Sequence, residues 1–296
     1  MFAKPEVCIL PVAGLSTRNL PATKVLHKGF LTLDNIPIIA YAVDAAKKIG
    51  IKEIVFIYSD QSCKHMFEQY YKPYPFLEQN LKEKNKLDLL KVLKDIIPEG
   101  MKFSFALQDK PLGNGHAILM AKDIVQKRNF VVMWPDDVYL NFNGPSILEQ
   151  LVEVYQQAGG IVENIMECRR EEMVRYGALI DAERDGNVVR AKGLIEKPPL
   201  DKVPSNYASM GPYILPNIVM DLLPEVKKGT NGEINLTDAI NLAVQKGEPL
   251  TGVLCKAERF DCGTNKDLAK ANLKLSLINH PDLRTYAREV LEELDA

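Results

Sequence analysis

No stretch of this chain approaches the ~18 consecutive apolar residues that a membrane crossing requires. No secretory leader is expected either: Lys4 and Glu6 bracket a proline, and the apolar stretch that follows is too short. Basic excess is missing as well. Lys and Arg number 37 against 39 Asp and Glu, a formal charge of −2, which argues against a dedicated nucleic-acid binder, usually a basic protein. A small anionic ligand stays compatible, because local charge decides there. The cysteines lack any pairing pattern. They stand at 8, 63, 168, 255 and 262, odd in number, far apart and never as C-x-x-C. They read as buried thiols of a reducing cytosol, so a cytoplasmic protein is expected. Internal repeats and low-complexity linkers are absent too, and one continuous domain with two lobes is the expectation.

What is present fits an α/β protein. At 296 residues the chain can bury a large core, as one large domain or two modest ones. VCILPVA (7–13) is a near-continuous apolar run, the pattern of a strand covered on both faces. Pro37 opens a helix with Ile39, Ala42, Val43 and Ala46 on one face, and Gly50 closes it. Strands follow at 51–59, 101–107 and 130–137, with a helix at 116–127. Such alternation predicts a largely parallel sheet with helices on both faces. An insertion at 62–100 is aromatic, then charged, and reads as a solvated helix capping the sheet. The second half reads as several strands (GIVENIMEC, GALID, GNVVRAKGLIE, YASMGPYIL) and a helix at 235–247. Two tail helices divided by Pro281 follow. The last of them docks on the body or joins subunits.

Ligands of open α/β sheets bind at the carboxyl ends of the strands, and three segments fall there. PVAGLSTRNLPATK (11–24) follows the first strand. Its backbone N–H groups can cradle phosphates, with Arg18 and Lys24 or Lys28 as positive charge. A purely structural strand-to-turn segment is an equal reading. Ser16 and Asn19 interrupt the dinucleotide G-x-G-x-x-G pattern, and there is no G-K-[ST] of a Walker loop. LQDKPLGNGHA (107–117) offers Gly113 and Gly115 for backbone access, and the Gln108 amide can read a base edge. WPDD (134–137) and the distant RFDCG (259–263) supply Asp136 and Asp261. Carboxylates of this kind can hold Mg²⁺ alongside substrate phosphates, or cap turns.

The order of these segments resembles the bacterial UTP–glucose-1-phosphate uridylyltransferases of the sugar-nucleotidyltransferase superfamily. The likeness runs through PVAGLSTRNLPATK, LGNGHA, WPDD, RYGALID, KGLIEKP, SNYASMGPYIL, GEINLTDAI, RFDCG and KANLKLSL, almost end to end. It implies a Rossmann-like mixed, mostly parallel sheet flanked by helices. A single domain over 1–296 would have a nucleotide lobe (1–135), a sugar lobe (136–263) and C-terminal helices (264–296). It implies transfer of UMP from UTP to glucose 1-phosphate with Mg²⁺ as cofactor, in a homo-oligomeric dimer or tetramer. On that resemblance Ala13, Gly14, Leu15, Ser16, Thr17 and Lys24 would wrap the UTP phosphates. Arg18 and Lys28 would steady the leaving pyrophosphate, and Gln108 and Gly113 would read uracil. Asp136 and Asp261 would share the metal, Gly177 and Glu196 would hold sugar hydroxyls, and Lys197 the sugar phosphate.

The chain departs from the family pattern in places. Ser16 replaces the second glycine of G-L-G-T-R. His27-Lys28-Gly29-Phe30 replaces Pro-Lys-Glu-Met. Leu112 stands where Lys is usual, and Pro212 where Arg is common. If Ser16 takes a positive φ, the strain is roughly 1–2 kcal/mol. Alternatives are the same chemistry with another nucleotide or sugar 1-phosphate, or a non-catalytic regulatory paralogue. A nicotinamide-dependent dehydrogenase is disfavoured by the interrupted glycine pattern.

Overall fold

The computed structural model describes residues 1–229 and 232–295 and is organised by an 11-stranded sheet. Its main path runs Glu183–Asp185, Val188–Ala191, Leu250–Val253, Ile161–Glu167, Tyr207–Leu215, Phe130–Val132, Val7–Pro11, Glu53–Tyr58, Lys102–Leu107. All but two of these, Tyr207–Leu215 and Val188–Ala191, point the same way. The sheet is therefore mixed and mostly parallel, as expected. Gly177–Ile180 and Gly193–Glu196 form an antiparallel pair attached to Tyr207–Leu215.

The opening strand shows why its run is unbroken. Side chains alternate faces along a strand. Val7 and Ile9 enter one core cluster while Cys8 and Leu10 enter another, all four with no exposed surface. Helix Ile38–Lys48 buries Ile38, Ile39, Ala42, Val43 and Ala46. Pro37 sits just before its first turn rather than in it, and Gly50 takes φ 89° beyond its end.

Several elements divide where the sequence suggested continuity. The insertion is three helices, Gln61–Tyr70, Pro75–Glu83 and Leu87–Asp95. The expected single charged helix breaks at Asn85, which adopts φ 53°, a left-handed conformation that asparagine tolerates better than most residues. The expected helix 116–127 is two short pieces, Asn114–Leu119 and Lys122–Val125, the second stopped by Gln126 at φ 57°. The expected strand 130–137 ends at Val132. A turn closed by Asp137 N–H on Trp134 O redirects the chain, and Asp137–Leu140 pairs separately with Glu258–Asp261. GNVVRAKGLIE splits into strands with different partners.

The tail forms Asn265–Asn279 and Leu283–Asp295, with Pro281 between them. The first packs on the body through Ala271 and Leu275. The last buries no residue, and Tyr286, Leu291 and Leu294 stay exposed. All five cysteines are free thiols; Cys8, Cys63 and Cys262 are buried as expected, whereas Cys168 and Cys255 are half-buried. Among the described residues no helix is long and apolar enough to cross a membrane.

Candidate active site

Strands Val7–Pro11, Lys102–Leu107 and Phe130–Val132 run the same way and deliver their carboxyl ends to one edge of the sheet, where the three candidate segments begin. Val12 N–H to Ile57 O is the last rung before the opening loop leaves the sheet. Ser16 sits at φ 55°, ψ 31°, the left-handed region. Its hydroxyl turns inward to donate to Gly14 O at 3.2 Å, and its carbonyl accepts from Asn19 N–H and from the Thr23 hydroxyl at 2.8 Å. The loop thus closes on itself around Ser16. Thr17 starts the short turn beyond it, and Asn19, buried, ties that turn to Asn265. Gly14, Leu15, Ser16 and Lys24 border a cavity of about 500 Å³ that is completed by His27 and Asp60. Ala13 connects the loop to the buried Val12.

Lys28 belongs to a separate turn, fixed by its predecessor. The His27 Nδ1 accepts the Gly29 N–H, and Phe30 N–H donates back to His27 O at 2.8 Å. Burial, with Lys28 alongside, lowers the His27 pKa to about 4, so the imidazole is neutral. Lys28 Nζ is thereby brought 2.6 Å from Asp136 Oδ2.

The two metal-type aspartates converge through the small antiparallel pair. Register places Asp261 opposite Asp137, next to Asp136. Cys262 N–H donates to Asp136 O at 2.8 Å, and Gly263 N–H to Asp261 Oδ1 at 2.8 Å. A Cβ on Gly263 would lie 3.1 Å from Asp261 Oδ1 and 3.5 Å from both Asp136 Oδ2 and Arg18 Nη2. The glycine therefore keeps clear the point where two carboxylates and a guanidinium meet. Arg259 completes the charge balance, with Nη2 2.6 Å from Asp137 Oδ1 and 3.4 Å from Asp261 Oδ2. Burial tends to raise the Asp136 pKa, but the Lys28 charge and hydrogen bond, helped by Arg18, hold it below the usual carboxylate range. Asp137 is pushed up to about 6, chiefly by burial and against the pull of Arg259.

The segment after Lys102–Leu107 is shaped by the distant stretch Ile234–Leu236 of the same chain. Gly113 has φ 106°, and a Cβ there would come within 2.5 Å of Ile234 O. Ile234 N–H donates to Leu112 O, and Gly115 N–H to Ile234 O. Leu236 N–H donates to Asn114 Oδ1. The Gln108 Nε2 donates to Gly113 O at 3.1 Å and lies 3.1 Å from His116 Nδ1.

Gly177 and Glu196 face each other in the antiparallel pair. They border a smaller cavity, about 150 Å³, that also touches Trp134, Ser209, Thr237 and Arg259. Thr237 donates to Glu196 Oε2 at 2.7 Å and aims the carboxylate. Lys197, at φ 43°, turns back so that Nζ lies 3.5 Å from Glu196 Oε1, while its N–H donates to Tyr176 O. The sequence thus pointed to residues that the structure distributes among a phosphate-type loop, an acidic junction and a polar pocket. It missed Arg259 and Thr237, whose signals were only their places beside Asp261 and in the segment GEINLTDAI.

The nucleotidyl transferase family profile matches residues 8–276. The UTP–glucose-1-phosphate uridylyltransferase of Komagataeibacter xylinus is 38% identical over 271 residues, covering 89% of this chain and 91% of that protein. A UTP-bound UGPase from Acinetobacter baumannii superposes with a TM-score of 0.86 at 32% identity, over 98% of this chain and 100% of its own. A UDP-glucose pyrophosphorylase complexed with UDP-glucose gives 0.81 at 31% identity, over 92% and 98%. The chain belongs to the nucleotidyl transferase family, among its UTP–glucose-1-phosphate uridylyltransferases.

Proposed function

We propose that this protein transfers UMP from UTP to glucose 1-phosphate and releases pyrophosphate. The observation that carries this reading is the meeting of Arg18, Asp136 and Asp261 around Gly263, beside Asp137 and Arg259, which line the Glu196 pocket. Solved relatives hold UTP in one case and UDP-glucose in another.

Enzymes of this kind generally use a divalent metal, and the donor set here fits Mg²⁺. Among the described residues no group of three or more His, Cys, Asp or Glu could hold a metal. Two carboxylates that leave other positions to water and phosphate are the usual pattern for Mg²⁺. Asp136 and Asp261 would hold it. Once bound it would supply Lewis-acid polarisation of the α-phosphate.

The chain's own residues do the rest. The sugar phosphate is already a nucleophile at neutral pH, so no strong base is required. The barrier is repulsion between polyanions, which positioning and charge neutralisation overcome. A phosphate oxygen of glucose 1-phosphate attacks the α-phosphorus of UTP. The bond from that phosphorus to the bridging oxygen breaks, and pyrophosphate leaves. Ala13, Gly14, Leu15, Ser16, Thr17 and Lys24 hold the triphosphate. Lys28 exchanges Asp136 for phosphate oxygens and, with Arg18, takes up charge on the leaving group. Lys197 meets the sugar phosphate as a point charge. Glu196, aimed by Thr237, accepts from sugar hydroxyls, and a mismatched sugar would leave it unpaired. Gln108 and Gly113 read the uracil edge.

On this reading residues 1–296 form one catalytic domain, with lobes near 1–135 and 136–263 and helices over 264–296. The exposed apolar side of the last helix suits a homo-oligomer, and the unpaired thiols suit the cytoplasm. Steady-state turnover of UTP and glucose 1-phosphate with Mg²⁺ tests the proposal. No turnover with any nucleotide and sugar phosphate would favour a binding paralogue instead.

A further inference from the structure

Glu163 lies in the strand Ile161–Glu167 with no exposed surface, and no residue ion-pairs with it among those described. Strand alternation turns it to the face that holds Ile161, Ile165 and Tyr213, the face on which helix Leu236–Gln245 packs. Its Oε2 accepts the Ser209 hydroxyl, and its Oε1 is buried without a hydrogen-bond partner. Ser209 borders the Glu196 cavity, and its Oγ also lies 3.2 Å from the Tyr213 hydroxyl. A buried carboxyl in an apolar face costs stability unless it is hydrogen-bonded, and here one of its two oxygens is not. Burial pushes Glu163 up to about 8, so at neutral pH it is an uncharged acid that can anchor a hydroxyl without repelling a phosphate.

The geometry converges on Gly177. A Cβ there would lie 3.5 Å from Glu196 Oε2, 3.4 Å from Ser209 Cβ and 3.9 Å from Ser209 Oγ. The missing side chain keeps open a space with an oxygen acceptor on each side. With the carboxyl proton on Oε1, the oxygen without a partner, Oε2 accepts the Ser209 hydrogen, and the Ser209 lone pairs are what remain to meet a ligand. Two acceptors flanking one opening suit two neighbouring donors, and adjacent ring hydroxyls of a sugar are such donors.

We propose that Ser209 is a specificity-determining residue that reads a second sugar hydroxyl beside the one taken by Glu196, and that Glu163 is the positioning residue that fixes its orientation. The class of ligand is a hexose 1-phosphate, or its nucleotide diphosphate, with a vicinal diol. This rests on the uridylyltransferase reading and adds a determinant that Glu196 alone does not supply.

Calorimetric titration of UDP-glucose and of UDP separates the two. Ser209→Ala should weaken UDP-glucose about five- to tenfold, the worth of one hydrogen bond, while UDP binds within about twofold of wild type. Glu163→Gln keeps an oxygen acceptor for Ser209 and should retain wild-type UDP-glucose affinity. Glu163→Leu, checked for folding by thermal melting, should reproduce the Ser209→Ala loss. A purely structural role for Glu163 would instead move both ligands together. One deoxy-sugar analogue of UDP-glucose should bind wild type and Ser209→Ala equally, which identifies the hydroxyl that is read. Unchanged UDP-glucose affinity in Ser209→Ala, with UDP binding intact, overturns this proposal and spares the uridylyltransferase reading. Failure of the wild type to bind UDP overturns both. If Glu163→Leu does not fold, the Ser209→Ala and Glu163→Gln pair still decides.

Discussion

Replacing Ser16 with glycine tests how the phosphate loop reaches its shape. Ser16 holds φ 55°, ψ 31°. A left-handed conformation costs an L-residue about 1–2 kcal/mol, and glycine is free of that cost. Glycine also gives the unfolded chain more freedom, which takes back about 0.4–1 kcal/mol. The hydroxyl lost is an exposed donor 3.2 Å from Gly14 O, worth a few tenths at most by the rule for long, solvated hydrogen bonds. The balance runs from near zero to about 1 kcal/mol in favour of glycine. If the loop must be held in this shape to receive UTP, that margin tightens the UTP Kd up to about fivefold. Ser16→Ala is the control, since it keeps the backbone cost and loses only the hydroxyl, and its UTP affinity should match wild type within about twofold. The assay is calorimetric titration of UTP into the three proteins. Equal weakening in both variants would refute the strain argument and show that the hydroxyl itself holds a phosphate.

Other expectations follow from the same geometry. Gly113→Ala should cut UTP affinity more than tenfold, because its Cβ would meet Ile234 O at 2.5 Å in a backbone conformation alanine avoids; titration measures it. Thr237→Val leaves Glu196 Oε2 without its 2.7 Å donor and should raise the KM for glucose 1-phosphate about fivefold with UTP little changed, as initial rates would show. The folded pKa of Glu163 is about 8 and that of an unfolded glutamate about 4.3, so the folded state binds the extra proton between those values. Stability attached to this group is complete below pH 4 and is lost as pH rises towards 8, by up to about 1.4 kcal/mol per unit. Glu163→Gln should therefore gain Tm over wild type progressively from pH 5 to pH 8, and parallel melting curves would refute it.

Much of the site was legible because each segment carries its chemistry locally. The run VCILPVA had to be a doubly buried strand, so Gly14 to Arg18 had to emerge at the sheet's edge. Asp136 could be read as a carboxylate near a strand end. Its meeting with Asp261 could not be derived from local pattern, since it depends on the pairing of Asp137–Leu140 with Glu258–Asp261, far apart in sequence. Resemblance supplied that contact, not periodicity. The split of the insertion at Asn85 and the turn at Trp134–Asp137 were hidden because neither carries a glycine at the break. Glu163 looked like one more strand residue. Only the antiparallel register that sets it opposite Tyr213 beside Ser209 gives it a place under the pocket.

Pyrophosphate release from UTP and glucose 1-phosphate with Mg²⁺, compared in wild type and Asp136→Asn, tests whether Asp136 and Asp261 serve uridylyl transfer at this junction. Wild type should turn over, and chelation should abolish that turnover. Asp136→Asn should lose about 10²-fold or more while still melting as a folded protein. Near-wild-type turnover by folded Asp136→Asn would rule that role out.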